Sequence, residues 1–216
     1  MAKILPLSFY DRDTAKVAKE LLGQHLVRVM PDGRRVVARI VETEAYIGIE
    51  DGACHAFGDR RTKRTSSLYL GAGHSYVFLI YGMYECFNVV TRKSGDPQAV
   101  LIRALEPVEG IEIMRENRTV KRDLDLTSGP GKLCRALAID RSLDAHRLDE
   151  VPLFIEESKR VFPSKIEASP RIGVDYAGEA AAWPLRFHER DNPYVSKRPR
   201  PARLVKTSAK TLSQCR

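Results

Sequence analysis

The sequence predicts a single α+β domain built on an antiparallel sheet with surrounding helices. Three observations carry this. With 216 residues, 43% of them hydrophobic, the chain can bury one sizeable core and is short for two independent ones. Runs rich in valine and isoleucine are joined by short turns containing glycine, proline or aspartate, the pattern of strands that pair antiparallel with their neighbours. Segments of helical periodicity are few and flank those runs.

Asp11 and Asp13 offer N-caps for a first helix carrying Ala15, Val17, Ala18, Leu21 and Leu22, with Gly23 as a left-handed stop. His25 to Met30 alternates loosely, Pro31-Asp32-Gly33 forms a turn, and Arg34 to Glu44 reads as the second strand of a hairpin ending at Glu44-Ala45-Tyr46. Residues 47 to 74 carry glycines, charges and Thr65-Ser66-Ser67 and read as a long loop, a type that is often functional in compact domains. Ser75 to Tyr81 and Glu85 to Thr91 read as strands around Gly82-Met83; a turn over Lys93 to Pro97 and a strand from Gln98 to Leu105 follow. Pro107 is placed to start a helix through Arg118 with Val108, Ile111 and Met114 on one face. A further helix begins near Ser128 in SGPGKLCRALAI, and short strands are expected at Leu153 to Glu156 and Arg171 to Val174.

The net charge of +8 is unevenly placed. Residues 196 to 216 carry seven basic side chains and no acid, which leaves +1 for the body. The domain is therefore expected over 1–196, with 197–216 a basic, disordered tail. Four separated cysteines, without a CxxC pair or histidines at zinc-finger spacing, argue against a structural metal or iron–sulfur cluster. The N-terminal apolar run is too short for a signal peptide and no window reaches membrane-spanning length, so an intracellular protein is expected.

Chemistry concentrates between Glu44 and Arg103. Glu44 and Tyr46 stand in VETEAY, followed by His55, by Tyr76, Phe78, Tyr81, Tyr84 and Asn88 in YVFLIYGMYECFN, and by Arg103 in VLIRALEP. Aromatic faces, an amide and an isolated carboxylate suit a pocket for a flat heterocycle. Arg60, Arg61, Lys63 and Arg64 form a basic cluster just ahead of the aromatic run.

The blocks RIVETEAYIG with His55 after it, YVFLIYGMYECFN, AVLIRALEP with EGIEIMR, SGPGKLCRALAID and WPLRFHERDNPYVS resemble, in the same order over roughly residues 5 to 196, the alkyladenine (3-methyladenine) DNA glycosylase family of base-excision repair. The resemblance implies a curved antiparallel sheet with a protruding β-hairpin that inserts into the minor groove. It also implies a monofunctional enzyme that flips damaged purines, alkylated, deaminated or etheno-modified, out of double-stranded DNA and hydrolyses their glycosidic bond. No metal or organic cofactor is expected, and the protein is expected to act as a monomer on the nucleoid in the cytoplasm, or in a nucleus.

By the same resemblance Glu44 is the general base that activates water, with Glu42 two residues earlier as its confounder, and Arg103 holds that water and the adjoining phosphate. Tyr46 stacks on one face of the extruded base and His55 with Phe78 on the other, Phe78 standing where relatives carry tyrosine. Asn88 forms the pocket floor, where it would exclude guanine's amino group, and the backbone at Ala53 offers further hydrogen bonds. Tyr81 is the wedge that fills the vacated stack, widened by Met83 and Tyr84; Arg60, Arg64 and Lys132 are candidate phosphate contacts. Arg103 has a second reading as a salt-bridge partner of Glu106. Three alternatives stay open at this level: a glycosylase/lyase using Lys132 as an amine nucleophile, a non-catalytic module that binds damaged or single-stranded nucleic acid, and a hydrolase of small purine compounds.

Overall fold

The computed structural model describes residues 3–196, and the basic tail lies outside them. In chain order they form α1 (Leu7–Tyr10), α2 (Thr14–Leu21), β1 (His25–Val29), β2 (Arg35–Tyr46), β3 (Ser75–Ile80), β4 (Tyr84–Thr91), β5 (Gln98–Glu109), α3 (Ile111–Asn117), α4 (Pro130–Ala136), β6 (Leu153–Glu156), β7 (Ile166–Ser169) and β8 (Arg186–Glu189). The eight strands make one antiparallel sheet in the order β3-β4-β5-β2-β1-β6. β2 is its axis. One edge of β2 pairs with β5 over most of its length, while the other is shared by β1 at residues 35–39 and by β8 at Glu42, Thr43 and Glu44; β7 closes on β8. The α+β expectation and the antiparallel sheet are both observed.

Packing follows from the pleat. Val17, Ala18 and Leu21 of α2, Met114 of α3 and Leu133, Cys134 and Ala136 of α4 meet Val36, Ala38 and Ile40 of β2, Phe87 and Val89 of β4, and Val100, Ile102 and Leu105 of β5 in one buried core. Each fully buried leucine there contributes roughly 1.5–3 kcal/mol by leaving water. A second cluster, with Cys54, Ala56, Leu68, Tyr76, Val90 and Ala99, lies beneath the long loop on the other face. α2 starts where the sequence placed it, with the Asp13 carboxylate accepting from the Lys16 amide at 2.8 Å.

Four elements differ from expectation. Pro107 does not start a helix: it lies within β5 opposite Ala38, beside a bulge that passes over Val108, where a residue lacking an N–H is tolerated. The helix waits for Gly110, whose φ of 75° breaks the strand. Arg171 to Val174 is not a strand; Arg171 is spent on a buried ion pair, and the late strands are β7 and β8 instead. Those two are four residues long and largely polar, with Phe187 the one β8 side chain in the main core, so they carry little hydrophobic pattern.

Candidate active site

One row of side chains crosses four strands. Tyr76 pairs with Asn88, Asn88 with Leu101 and Leu101 with Glu44, which aligns β3, β4, β5 and β2 on the face turned away from the helices. Tyr46, Phe78, Cys86 and Arg103 flank that row. The alternate residues Ala45, Val77, Phe87, Val89, Val100 and Ile102 all enter the helix-side core.

Glu44 reaches this face because β2 is bulged. Val36, Ala38 and Ile40 point to the helix-side core, so unbroken alternation would send Glu42 and Glu44 there as well. Instead Ile40 pairs with Leu105, Glu42 with Ala104 and Thr43 with Ile102, so the register passes over Val41 on β2 and Arg103 on β5. The two bulges turn both carboxylates, and Arg103, toward the second face.

The carboxylates differ in what they have left to give. Glu42 accepts four hydrogen bonds: Oε1 from Arg103 Nε at 3.2 Å, Arg186 Nε at 2.6 Å and the Ser196 hydroxyl at 2.8 Å, and Oε2 from the Ser196 amide at 2.7 Å. Glu44 Oε2 accepts from Tyr46 Oη at 2.9 Å and Arg103 Nη1 at 3.2 Å, whereas Oε1 accepts only the Ile172 amide at 2.8 Å and keeps a lone pair. Arg103 is held between the two. Burial opposes its charge, but Glu44 and then Glu42 outweigh that and raise its pKa. The Arg103–Glu106 salt bridge is not formed; Glu106 pairs with Arg39.

Beside this cluster opens a cavity of about 340 Å³, bordered by Tyr46, Ala53, His55, Phe78, Asn88 and Arg103, with Tyr76, Pro130, Gly131 and the segment from Ile172 to Val174. Tyr46 forms one wall; its pKa is driven up by burial and by Glu44. His55 and Phe78, which also border the cavity, stand with ring centroids 4.6 Å apart, and Tyr76 and Phe78 at 5.0 Å. Asn88 is buried, with Nδ2 donating to the Tyr76 carbonyl at 3.0 Å, so its oxygen and second N–H remain for a ligand. Ala53 has committed its amide to Asp51 Oδ1 at 3.0 Å, which leaves its carbonyl as the group it can offer.

His55 Nδ1 lies 2.7 Å from Tyr76 Oη. Burial pulls its pKa down to about 4, helped by Arg64 and then Arg60. It is therefore neutral at pH 7 and does not repel a cationic ring; equally, it is not a proton donor there. A one-dimensional NMR titration should show its ring protons moving with a midpoint near 4, against an ordinary 6.5. Because the unfolded chain takes up that proton near the ordinary value and the folded chain only near 4, His55 should cost the fold stability as pH falls between the two. A midpoint above 6 would contradict this environment.

The long loop that carries Ala53 and His55 is pinned by Asp51. Its carboxylate accepts from the Ile47 and Ala53 amides and pairs with Arg171, both members of the pair being fully buried. Arg171 also donates to the Ala45 and Ala180 carbonyls, and its guanidinium sits 4.8 Å from the centre of the Tyr46 ring. Asp51, Arg171 and Ile172 were not singled out from sequence, and Tyr76 stood in the aromatic cluster without a role of its own. The acid at Asp51, in an otherwise glycine-rich turn, was the available signal; its partner is 120 residues away.

The β3–β4 hairpin presents Tyr81, Met83 and Tyr84 to solvent, Tyr81 at 80% exposure and with φ 53°. A bulky residue in the left-handed region costs roughly 1–2 kcal/mol, and here that residue is an aromatic held out in water. Gly131 at the start of α4 braces the hairpin, since a Cβ there would stand 2.9 Å from Tyr84 Cβ. Arg60 and Arg64 lie on the loop and border a neighbouring cavity that shares His55 with the first. Lys132 borders a different cavity, with Met83 and Tyr84, and its Nζ is 3.4 Å from Ser128 Oγ. Among the described residues no helix is long and apolar enough to cross a membrane.

The methylpurine-DNA glycosylase family profile matches residues 8–193. Proteins from Desulfitobacterium hafniense and Bdellovibrio bacteriovorus are each 52% identical, covering 90% of this chain and 98% and 100% of their own lengths. One from Methanocella arvoryzae is 53% identical over 90% of this chain and 96% of its own. All three carry, as a provisional assignment, the name 3-methyladenine DNA glycosylase.

Proposed function

The chain belongs to the methylpurine-DNA glycosylase family, hydrolases of N-glycosyl bonds, and from that premise we propose that it extrudes a damaged purine from duplex DNA and hydrolyses its glycosidic bond with water activated by Glu44. The observation that carries the reading is the cavity itself: it is lined by the aromatic rings of Tyr46, Tyr76 and Phe78 with His55 and by the amide of Asn88, and the Glu44 carboxylate is hydrogen-bonded to the Tyr46 hydroxyl. The base stacks between Tyr46 and the His55–Phe78 pair. Such stacking is worth roughly 1–3 kcal/mol per base, which offsets part of the cost of unstacking it from the duplex.

As the bond to the purine lengthens, positive charge grows on the deoxyribose. Glu44 stabilises that charge, and the open lone pair of Oε1 takes a proton from the attacking water. Arg103, tied to Glu42, orients the Glu44 carboxylate. Phe78 stacks without offering a hydroxyl. Arg60 and Lys132 contact flanking phosphates, which adds affinity without reading sequence. The protein works as a monomer wherever the cell keeps its DNA.

Tyr81 is the wedge. Tyr81→Asn, which tolerates the left-handed backbone, should leave thermal stability equal or raised by up to about 1 kcal/mol while weakening lesion-duplex affinity several-fold. Destabilisation with unchanged binding would instead make Tyr81 a structural residue. For the tail, we propose nonspecific DNA affinity. Truncation after Tyr194 would also strip Ser196 from buried Glu42, so the informative cut is after Lys197. It should flatten the dependence of DNA affinity on salt, and an unchanged slope would count against the tail's role.

The activity is tested by incubating duplexes that contain an alkylated purine, hypoxanthine or ethenoadenine and looking for free base together with strand breaks that need alkali to develop. Breaks without alkali and a borohydride-trapped adduct would point to the lyase alternative. Lys132 does not itself border the base cavity but an adjoining one that shares Tyr84, Pro130 and Gly131 with it.

A further inference from the structure

Both aromatic walls of the cavity are backed by an arginine that does not itself border it. Arg171 stands over Tyr46 at 4.8 Å, but its charge is cancelled by Asp51. Arg64 stands over Phe78, 5.0 Å from the ring centre, and donates to the Leu79 carbonyl. Among the described residues Arg64 forms no ion pair. It borders two neighbouring cavities, one sharing His55 and the other sharing Phe78 with the base cavity. The two walls are thus electrically unlike: one has a neutralised guanidinium behind it and the other a bare one.

We propose that Arg64 is a specificity-determining residue whose charge, acting through Phe78, biases the pocket against cationic alkylpurines and toward neutral lesions. The inference rests on the reading of this cavity as the base site. A cationic purine stacked on Phe78 meets a like charge behind the ring, and that repulsion raises the cost of extruding it. A neutral lesion such as hypoxanthine gains negative charge as it departs, and the same guanidinium stabilises the leaving base. With His55 neutral at pH 7, Arg64 supplies the positive field that a proton would otherwise supply. A unit charge roughly 9 Å from the base, partly screened by solvent, changes such a balance by about three- to tenfold.

The groups facing His55 are Tyr76 from β3, Arg60 and Arg64 from the loop, and the neighbouring Cys54 and Tyr176. Two measurements on wild type, Arg64→Gln and Arg64→Lys test the proposal. In free protein, the His55 NMR midpoint should rise in Arg64→Gln and stay near the wild-type value in Arg64→Lys. In single-turnover release, the ratio of rates for 7-methylguanine over hypoxanthine should rise about three- to tenfold in Arg64→Gln and not in Arg64→Lys. A uniform loss on both lesions with an unchanged ratio would make Arg64 a phosphate contact and overturn the proposal, as would an unmoved His55 midpoint. If wild type releases no purine at all, it is the glycosylase reading that fails, and the His55 shift still reports whether the charge of Arg64 reaches the cavity.

Discussion

Glu44→Gln is expected to lower single-turnover base release on the order of 10⁴-fold while leaving binding to lesion-containing duplex within a few-fold of wild type. Glutamine keeps an oxygen for the Ile172 amide, so the segment from Ile172 to Val174 stays in place. Arg103 keeps Glu42 as a partner and is not left as an uncompensated buried charge. What is lost is the negative charge opposite the developing oxocarbenium ion and the basic lone pair for water. Glu42→Gln makes the sharp comparison. Glu42 is held by Arg103, Arg186 and Ser196, of which only Arg103 borders the cavity, whereas Tyr46, Arg103 and Ile172 around Glu44 all do, so the Glu42 variant should lose stability and only secondarily rate. If Glu42→Gln abolished release with the fold intact while Glu44→Gln did not, the assignment of the base would be reversed.

Asp51→Ala is expected to destabilise the domain by about 3–5 kcal/mol, because it leaves Arg171 fully buried without its counter-charge. For a domain of this size that corresponds to a fall in melting temperature of roughly 6–20 °C. The damage should extend to function. Asp51 holds the amides that shape the His55 loop, and Arg171 fixes the Ala45 carbonyl beside Tyr46. Stacking should therefore weaken on both walls. The double variant Asp51→Ala with Arg171→Met removes the stranded charge and should recover part of the melting temperature but not the rate. An Asp51→Ala protein that melts like wild type would show that water or another group satisfies Arg171, and would contradict its role as a clamp.

The site residues were named before the structure through the family likeness, and strand alternation accounts for how several of them come together. Tyr76, Phe78 and Asn88 fall at even positions of two strands joined by a tight hairpin, and the structure brings them to one cavity. The family likeness chose Glu44 over Glu42; in the structure the partners of Glu44, namely Tyr46, Arg103 and Ile172, all border the cavity, while Arg186 and Ser196 on Glu42 do not. The bulges at Val41 and Arg103 were not legible. A regular β2 with the apolar phase of Val36, Ala38 and Ile40 would have buried Glu44 among the helices, and nothing in local propensity signals the extra residue. Long-range polar contacts escaped for the same reason. Ser196 reaches Glu42 across 154 residues and Arg171 reaches Asp51 across 120, and such pairings depend on tertiary placement rather than on periodicity. Pro107 misled because a proline reads equally as a helix start and as a residue beside a bulge.

The most direct test of the base pocket is a crystal structure of the Glu44→Gln variant bound to a duplex carrying a damaged purine that the wild type releases. The account predicts the purine out of the helix, stacked between Tyr46 and the His55–Phe78 pair with Asn88 at its edge, and Tyr81 in the gap it left. A purine still stacked in the duplex, or lodged in the arginine-bordered cavity beside His55, would contradict it.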